Sequence, residues 1–573
     1  MTFKGLACDY DGTLASQDRI GAAALAALTR AREAGVRLIL VTGRSFFDLI
    51  RICERLDLFD AVVAENGAVL YFPAAGMIRD QGPPPPPRLL AELDRRGIFY
   101  HAGRVVVGTG RQDELAVRAA LASTDVTLDL VYNRGSMMLL PAGISKGSSM
   151  RQVIGILGLS FHDVLAVGDA ENDLDLFEAC GWAGCPANAV PELARRADWV
   201  FPGDDGEAVA RAIAGPILDG SLRLDQSPRQ RISLGWAVET AEPVTVPARG
   251  VNVLIHGDPL SGKSWLAGAL AERLVAQRYA LCVIDPEGDY RVLGRLPGVT
   301  WGEIHDRPSM TRALAQLERD PAACVIADLS AVAHPFKVRL VEDALAQLGR
   351  LRQRLGRPHW IVLDEAHYSL HRDGVADPAA GLEAKGFCLV TYRPSWLRDS
   401  LMEAIDVFVL ARTTLPEELA FFGAMLGGRR SDGERAVPVL PDLRDREFVI
   451  VQPSGAATSF TAPPRATVHV RHSTKYADSR VPPSRAFHFR DARGEVVASA
   501  ASLTEFRDAL VAVDDSVLAG HAARGDFSRW LRDVFSDREL AGQVRKTEAR
   551  FGRGEIRDLR EAIERLIAGR YLG

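Results

Sequence analysis

Two carboxylates stand two residues apart in Cys8-Asp9-Tyr10-Asp11-Gly12-Thr13, directly after the apolar run Gly5-Leu6-Ala7-Cys8. The run reads as a buried strand, and Gly12 can take the backbone angles of a sharp turn behind it. Carboxylates delivered at a strand end suit nucleophilic attack and metal binding by Asp9, with Asp11 as general acid and base. An Asp-Gly turn without chemistry is the plain alternative for this hexapeptide taken alone. A second constellation is Gly257-Asp258-Pro259-Leu260-Ser261-Gly262-Lys263-Ser264, between the apolar run at 251–255 and an Ala/Leu-rich stretch at 265–277. This is the spacing and setting of a Walker A phosphate loop. Backbone amides and a helix N-terminus would cradle phosphates, Lys263 would reach the terminal ones, and Ser264 would hold Mg²⁺. A third is Trp360-Ile361-Val362-Leu363-Asp364-Glu365, Walker B in form. Asp364 would serve the metal's water shell and Glu365 would activate the attacking water.

Positioning these groups requires strands that end where the chemistry begins. After the opening loop the pattern predicts a helix over 21–34, a strand over 37–41 ending in Thr42-Gly43-Arg44, a helix over 46–56, and a strand over 60–64 running into Glu65-Asn66-Gly67. Strands alternating with helices at this spacing predict a parallel, doubly wound sheet. The run Pro83–Pro87 marks a hinge into an inserted α/β cap at about 82–135, read as helix, strand, helix, strand. The core pattern returns at Ile144-Ser145-Lys146-Gly147, with a helix to 157 and a strand over 164–167 that runs into Gly168-Asp169-Ala170-Glu171-Asn172-Asp173.

The ordered set Asp-Tyr-Asp-Gly-Thr, Val-Thr-Gly-Arg, Lys146 and Gly-Asp-Ala-Glu-Asn-Asp resembles the haloacid dehalogenase superfamily, and more narrowly its Cof-type phosphatases. The resemblance covers residues 3–215 and implies a Rossmann-like core with a small α/β cap. It implies that Asp9 forms an aspartyl-phosphate, that Asp11 protonates the leaving oxygen, and that Thr42 and Lys146 bind the transferring phosphoryl group. Asp9, Asp169, Asp173 and the Asp11 carbonyl would hold Mg²⁺. Arg44, Asn66 and Asn172 are candidates for substrate contact, each equally explained as a loop brace. Phosphoglycolate and sugar phosphates lead the substrates that the resemblance implies.

The middle of the chain resembles the HerA–FtsK class of P-loop ATPases, through residues 257–264, Val283-Ile284-Asp285-Pro286-Glu287-Gly288-Asp289-Tyr290, Leu363-Asp364-Glu365 and Thr391-Tyr392-Arg393-Pro394-Ser395. Tyr392 departs from the Gln usual there. Arg393 or Arg412 would be an inter-subunit arginine finger or a structural residue, and His367 is read as a helix residue. The C-terminal part predicts a small hairpin at 486–489 and 495–500, a helix at 503–512 capped by Ser502, and a later helix with Asp526 as its N-cap. Residues 502–540 resemble a small uncharacterised bacterial module, read as an interaction domain.

Composition bounds the rest. A chain of 573 residues exceeds what one core supports, and the divisions expected are a phosphatase at 1–215, a linker at 216–230, an ATPase at 231–460 and a small α+β domain at 461–573. A net charge of -5 gives no global pull toward nucleic acid, and a local basic channel stays open. The seven cysteines show no metal spacing, and the N-terminus shows no signal peptide, so a cytoplasmic protein with no membrane span is expected. Only seven of 69 basic residues are Lys, and Lys146 and Lys263 both fall within these motifs. The expected function is a Mg²⁺-dependent phosphomonoesterase acting on a small phosphorylated metabolite, fused to an ATP-hydrolysing domain that could self-assemble into a ring. A nucleic-acid end-processing or translocating machine and a nucleotide-switched scaffold are the alternatives.

Overall fold

The computed structural model describes residues 3–133, 135–222, 230–259, 261–372, 379–427, 437–444, 446–467, 481, 485–535 and 538–569. Leu260, Pro482 and Pro483 lie outside the described residues. The N-terminal strands are Gly5–Asp9 (β1), Arg37–Val41 (β2), Ala61–Ala64 (β3), Val69–Phe72 (β4) and Met77–Asp80 (β5). After them come Tyr100–Ala102 (β6), Val107–Gly110 (β7), Asp129–Asn133 (β8), Ser136–Leu140 (β9), Val164–Val167 (β10), Trp182–Pro186 (β11) and Trp199–Phe201 (β12). One sheet runs β12-β11-β10-β1-β2-β3-β4-β5, parallel from β12 to β3. Alternate residues of its central strands feed opposite cores. Leu6, Cys8, Leu38 and Leu40 face one layer, and Ala7, Ile39 and Val41 the other. Burial on both faces is why these strands read as continuous apolar runs.

The cap holds more strand than its sequence suggests. β6 to β9 form an antiparallel sheet in the order β8-β9-β7-β6, where helix, strand, helix, strand is expected. Val107-Gly108-Thr109-Gly110 hides strand β7 behind two glycines, and β9 carries the cap sheet to Leu140. Pro87 opens the first cap helix, Pro87–Arg95, so the proline run ends as a helix start. The helix expected over 46–56 stops at Ile52.

Among the described residues the second sheet has eleven strands. They are Arg231–Ala237 (β13), Pro243–Pro247 (β14), Val253–His256 (β15), Leu281–Asp285 (β16), Val299–Glu303 (β17), Cys324–Asp328 (β18), Trp360–Leu363 (β19), Phe387–Thr391 (β20), Val407–Leu410 (β21), Glu447–Val451 (β22) and Ala457–Thr461 (β23). Their order is β14-β13-β23-β22-β21-β15-β20-β19-β16-β18-β17, parallel from β21 to β17. The stretch expected as a linker contributes Ile217 and Leu222 to the N-terminal core, and residues 223–229 lie outside the described set. His367 sits in the short 3-10 helix Ala366–Tyr368, in keeping with its reading as a helix residue.

A hairpin of Phe487–Arg490 (β24) and Val496–Ala500 (β25) begins the C-terminal unit, which has its own aromatic core. Ser502 caps Leu503–Ala512 by accepting from the Glu505 amide. Asp526 does not cap the helix it opens. Its carboxylate accepts from Arg524 and pairs with His521, and Glu548 takes the Phe527 and Ser528 amides instead. Among the described residues no helix is long and apolar enough to cross a membrane.

The two large sheets meet through a buried polar seam. His162 stacks on Tyr279 with ring centroids 3.4 Å apart, and its Nε2 meets the Gln277 carbonyl at 2.7 Å. Asp163 accepts from Arg249 at 2.9 Å. His359 Nδ1 accepts the Ala280 amide at 2.8 Å, which leaves Nε2–H to donate to Asp163 at 3.2 Å. Burial pushes the pKa of both imidazoles below the ordinary 6.5. Burial alone would raise the Asp163 carboxyl, but His359 and Arg249 outweigh it and hold it below the usual range. The unfolded chain therefore takes up the histidine protons first as pH falls. Stability present at neutral pH is lost below about 6.5, while Asp163 stays ionised. Melting temperature is expected to fall between about pH 7 and pH 5, and to fall less in His162→Phe. An unchanged slope in that variant would remove His162 as a cause.

Candidate functional site

Asp9 ends β1, whose register sets Asp9 beside Val41 and Cys8 beside Val167. Thr42 and the Gly168-Asp169 turn therefore leave neighbouring strand ends on both sides of it. Lys146 opens the helix Lys146–Ile156, where Ser145 and Ser148 form a reciprocal cap. Its buried ammonium donates to Asp9 Oδ1 at 2.6 Å and to Asp173 Oδ1 at 2.7 Å. Asp173 Oδ2 accepts the Asp169 and Ala170 amides, each at 3.1 Å, and Thr13 donates to Asp169 Oδ1 at 2.9 Å. Oxygens of Asp9, Asp169 and Asp173 all lie within 4.8 Å of one another. Gly12 is required at this approach. Its φ is +75°, and a Cβ there would sit 2.6 Å from an Asp169 oxygen.

Three carboxylates crowd together, and one ammonium bonds two of them, Asp9 and Asp173. Burial first, then Asp173 and Asp169, pushes the Asp9 carboxyl well up against the pull of Lys146. Burial works against the Lys146 charge, but Asp173 and Asp9 outweigh it and raise its pKa. Burial and crowding together leave an excess of buried negative charge that a proton or a hard dication would relieve. The oxygen-only donor set fits Mg²⁺.

Asp11 lies outside this acid cluster. Its side chain is 41 % exposed and receives a two-pronged grip from Arg44, at 2.7 and 2.6 Å. Arg44 also donates to Asp18 and Asp48. Thr42 is fully buried, and its hydroxyl oxygen accepts the Arg44 amide at 3.1 Å. Asn172 donates to Asn66 Oδ1 at 3.1 Å. Met138 of the cap packs over Gly43, so close that a Cβ there would stand 2.7 Å from the Met138 methyl. The cap is pinned by Glu65, which sequence reasoning did not single out. Its buried carboxylate accepts the amides of Phe46, Arg104, Val105 and Val106 at 2.9–3.1 Å. The one signal available was a carboxylate at the end of a buried strand, next to Asn-Gly.

A second set of groups gathers at the strand ends of the other sheet. Gly257, Asp258, Pro259, Ser261 and Gly262 lie between β15 and the helix Lys263–Ala276. Gly257 passes so near the end of β21 that a Cβ would lie 2.6 Å from the Ala411 methyl. Lys263 folds back to donate to the Asp258 carbonyl at 2.9 Å and stands 5.9 Å from the Tyr392 ring. β20 lies between β15 and β19, and at its end the Thr391 hydroxyl bridges the Arg393 amide and His367 Nδ1, both at 3.0 Å. Asp364 and Glu365 follow β19 and are buried. Ser261 Oγ and Asp258 Oδ1 are buried without a hydrogen-bond partner among the described residues, which fits a loop shaped for a ligand. Arg393 pairs within the chain with Glu417 and Glu418, the structural alternative to a finger, and Arg412 is half-buried.

Comparison with known proteins covers the N-terminal part of the chain, where the first of these sites lies. Residues 6–83 and 119–213 match the family model of haloacid dehalogenase-like hydrolases. The chain is 34% identical over 229 residues to a phosphoglycolate phosphatase of Methanothermobacter thermautotrophicus, covering 37% of this chain and 97% of that protein. It is 28% identical over 220 residues to the phosphoglycolate phosphatase of Archaeoglobus fulgidus, over 37% and 95% of the two chains. A solved haloacid dehalogenase-like hydrolase from Bacteroides thetaiotaomicron aligns with a TM-score of 0.34 and 19% identity, over 37% of this chain and 99% of that one.

Proposed function

Through its N-terminal part this chain belongs to the haloacid dehalogenase-like hydrolases, and from that premise we propose that it is a Mg²⁺-dependent phosphatase of the Cof type. The observation that carries the reading is Lys146 held between Asp9 and Asp173 at 2.6 and 2.7 Å, within a buried oxygen cluster. An Asp9 oxygen attacks phosphorus while the bond to the leaving oxygen breaks, and Asp11 gives that oxygen a proton. Asp11 then takes a proton from water, which attacks the acyl phosphate, releases phosphate and restores Asp9. Lys146 and Thr42 bind the transferring oxygens. Mg²⁺, held by Asp9, Asp169 and Asp173, would neutralise charge on the phosphoryl group. Arg44, which grips both Asp11 oxygens, sets the orientation of that carboxyl group. The relatives named for phosphoglycolate make small phosphorylated acids, and sugar phosphates beside them, the leading substrates. A screen of small phosphomonoesters, with Mg²⁺ and with chelator, tests this. Metal-dependent release of phosphate from such esters supports it, and inertness toward all of them counts against it.

The second site supports a P-loop ATPase in the same chain. What supports it is the strand–loop–helix with Lys263 at the helix start, beside buried Asp364 and Glu365. Gly257, Asp258, Pro259, Ser261, Gly262, Lys263 and Ser264 would surround the phosphates, Ser264 and Asp364 would serve Mg²⁺, and Glu365 would activate water. ATP hydrolysis is expected to fall ~10²-fold or more in Lys263→Ala. Undiminished turnover would exclude this loop.

A further inference from the structure

Asp285 ends β16 as a buried carboxylate. Its Oδ1 accepts the amides of Glu287, Gly288 and Asp289 at 2.8–3.2 Å, and its Oδ2 accepts the Tyr290 amide at 2.9 Å. Four bonds to one side chain fold residues 286–290 back over the strand end. β16 pairs with β19 through Ile284 and Leu363, and the Asp364 amide donates to the Ile284 carbonyl at 3.2 Å. The fold thus brings Tyr290 beside the carboxylate that closes β19. The Tyr290 ring is wholly buried in the apolar layer that also contains Leu266 and Leu270 of the Lys263–Ala276 helix. Its hydroxyl has no hydrogen-bond partner among the described residues.

That hydroxyl is a liability in the protein alone. A buried polar group without a partner is destabilising, and phenylalanine would fill the same volume without that cost. Burial first, then the carboxylates of Asp364, Asp285 and Asp289, pushes the phenol's pKa up. An unpaired hydroxyl on a loop folded back over the strand ends that carry Asp285 and Asp364 can be satisfied by a polar group brought by a ligand. A water polarised by a divalent cation is a strong donor, and a phenol oxygen accepts.

We propose that Tyr290 is a positioning residue of the nucleotide site, its hydroxyl bonding the water shell of the cation that Asp364 serves. The inference rests on the nucleotide reading of the second site. It makes the loop 286–290 part of the metal's surroundings, with Asp285 as the brace that holds it there.

The test is Tyr290→Phe in the full chain, with a fluorescent non-hydrolysable ATP analogue as the probe and Lys263→Ala as a control. Without ligand the melting temperature of the Phe variant is expected to hold or rise. Affinity for the analogue with Mg²⁺ is expected to fall about fivefold, the scale of one hydrogen bond, with affinity in chelator unchanged. Wild-type affinity with Mg²⁺ would overturn the proposal and leave the nucleotide reading standing. Equal losses with and without Mg²⁺ would overturn it too, by moving Tyr290 from the metal to the phosphate loop. If the wild-type chain binds no analogue, or if Lys263→Ala binds it equally well, the nucleotide reading falls and the proposal with it.

Discussion

Asp9→Asn is expected to lower phosphomonoesterase turnover by on the order of 10⁶-fold, the scale seen when a covalent nucleophile is removed. The substitution keeps the volume and one carbonyl oxygen, but an amide neither attacks phosphorus nor carries a phosphoryl group. It also removes one of three carboxylates packed within 4.8 Å. Because crowding and burial push the Asp9 carboxyl up, the metal-free variant is expected to melt no lower than the parent. Loss of activity with retained stability isolates chemistry from folding. Turnover above about a tenth of the parent's, far outside the loss expected for a nucleophile, would remove Asp9 from that role.

Lys146→Met acts on both stability and activity. The ammonium is buried against Asp9 and Asp173, with 1 % of its side chain exposed. Removing one partner of a buried ion pair typically costs ~3–5 kcal/mol, since the other is left uncompensated. The sign of the pH dependence follows. Without Lys146 the carboxylates hold protons more tightly in the folded chain than in the unfolded one, so stability rises as pH falls. The melting deficit of the variant is thus expected to shrink toward acid pH, and to shrink on adding Mg²⁺, while phosphatase turnover stays lost. A deficit that neither acid nor Mg²⁺ relieves would mean that Lys146 stabilises by packing rather than by charge.

The strands that carry the chemistry were legible in the sequence because burial on both faces writes them as uninterrupted apolar runs, β1, β2 and β10 among them. The turn after β1 was legible because Asp-Gly-Thr needs a glycine where Asp169 approaches. What the sequence concealed is long-range. Glu65 holds the cap through amides about forty residues away. Asp11 meets Arg44 across thirty-three positions, which ties two candidates for separate roles to each other. Asp526 looked like an N-cap because an acidic residue opens the helix, yet Glu548, on a later helix, takes the amides. The cap reads as two strands where four form, and β7 is the least strand-like of them because two of its four residues are glycine, while pairing to β6 and β9 supplies the missing drive. The seam of His162, Asp163, Arg249 and His359 joins residues up to 196 positions apart, with no local pattern to announce it.

The most direct test of the account is the identity of the residue that carries phosphate during turnover. The protein is mixed with a phosphomonoester it hydrolyses and Mg²⁺, quenched in acid, and the acyl phosphate reduced with borohydride before peptide mapping. The account predicts a reduced aspartate at position 9, absent from Asp9→Asn. A label on any other residue, or steady hydrolysis by Asp9→Asn at the parent's rate, would contradict it.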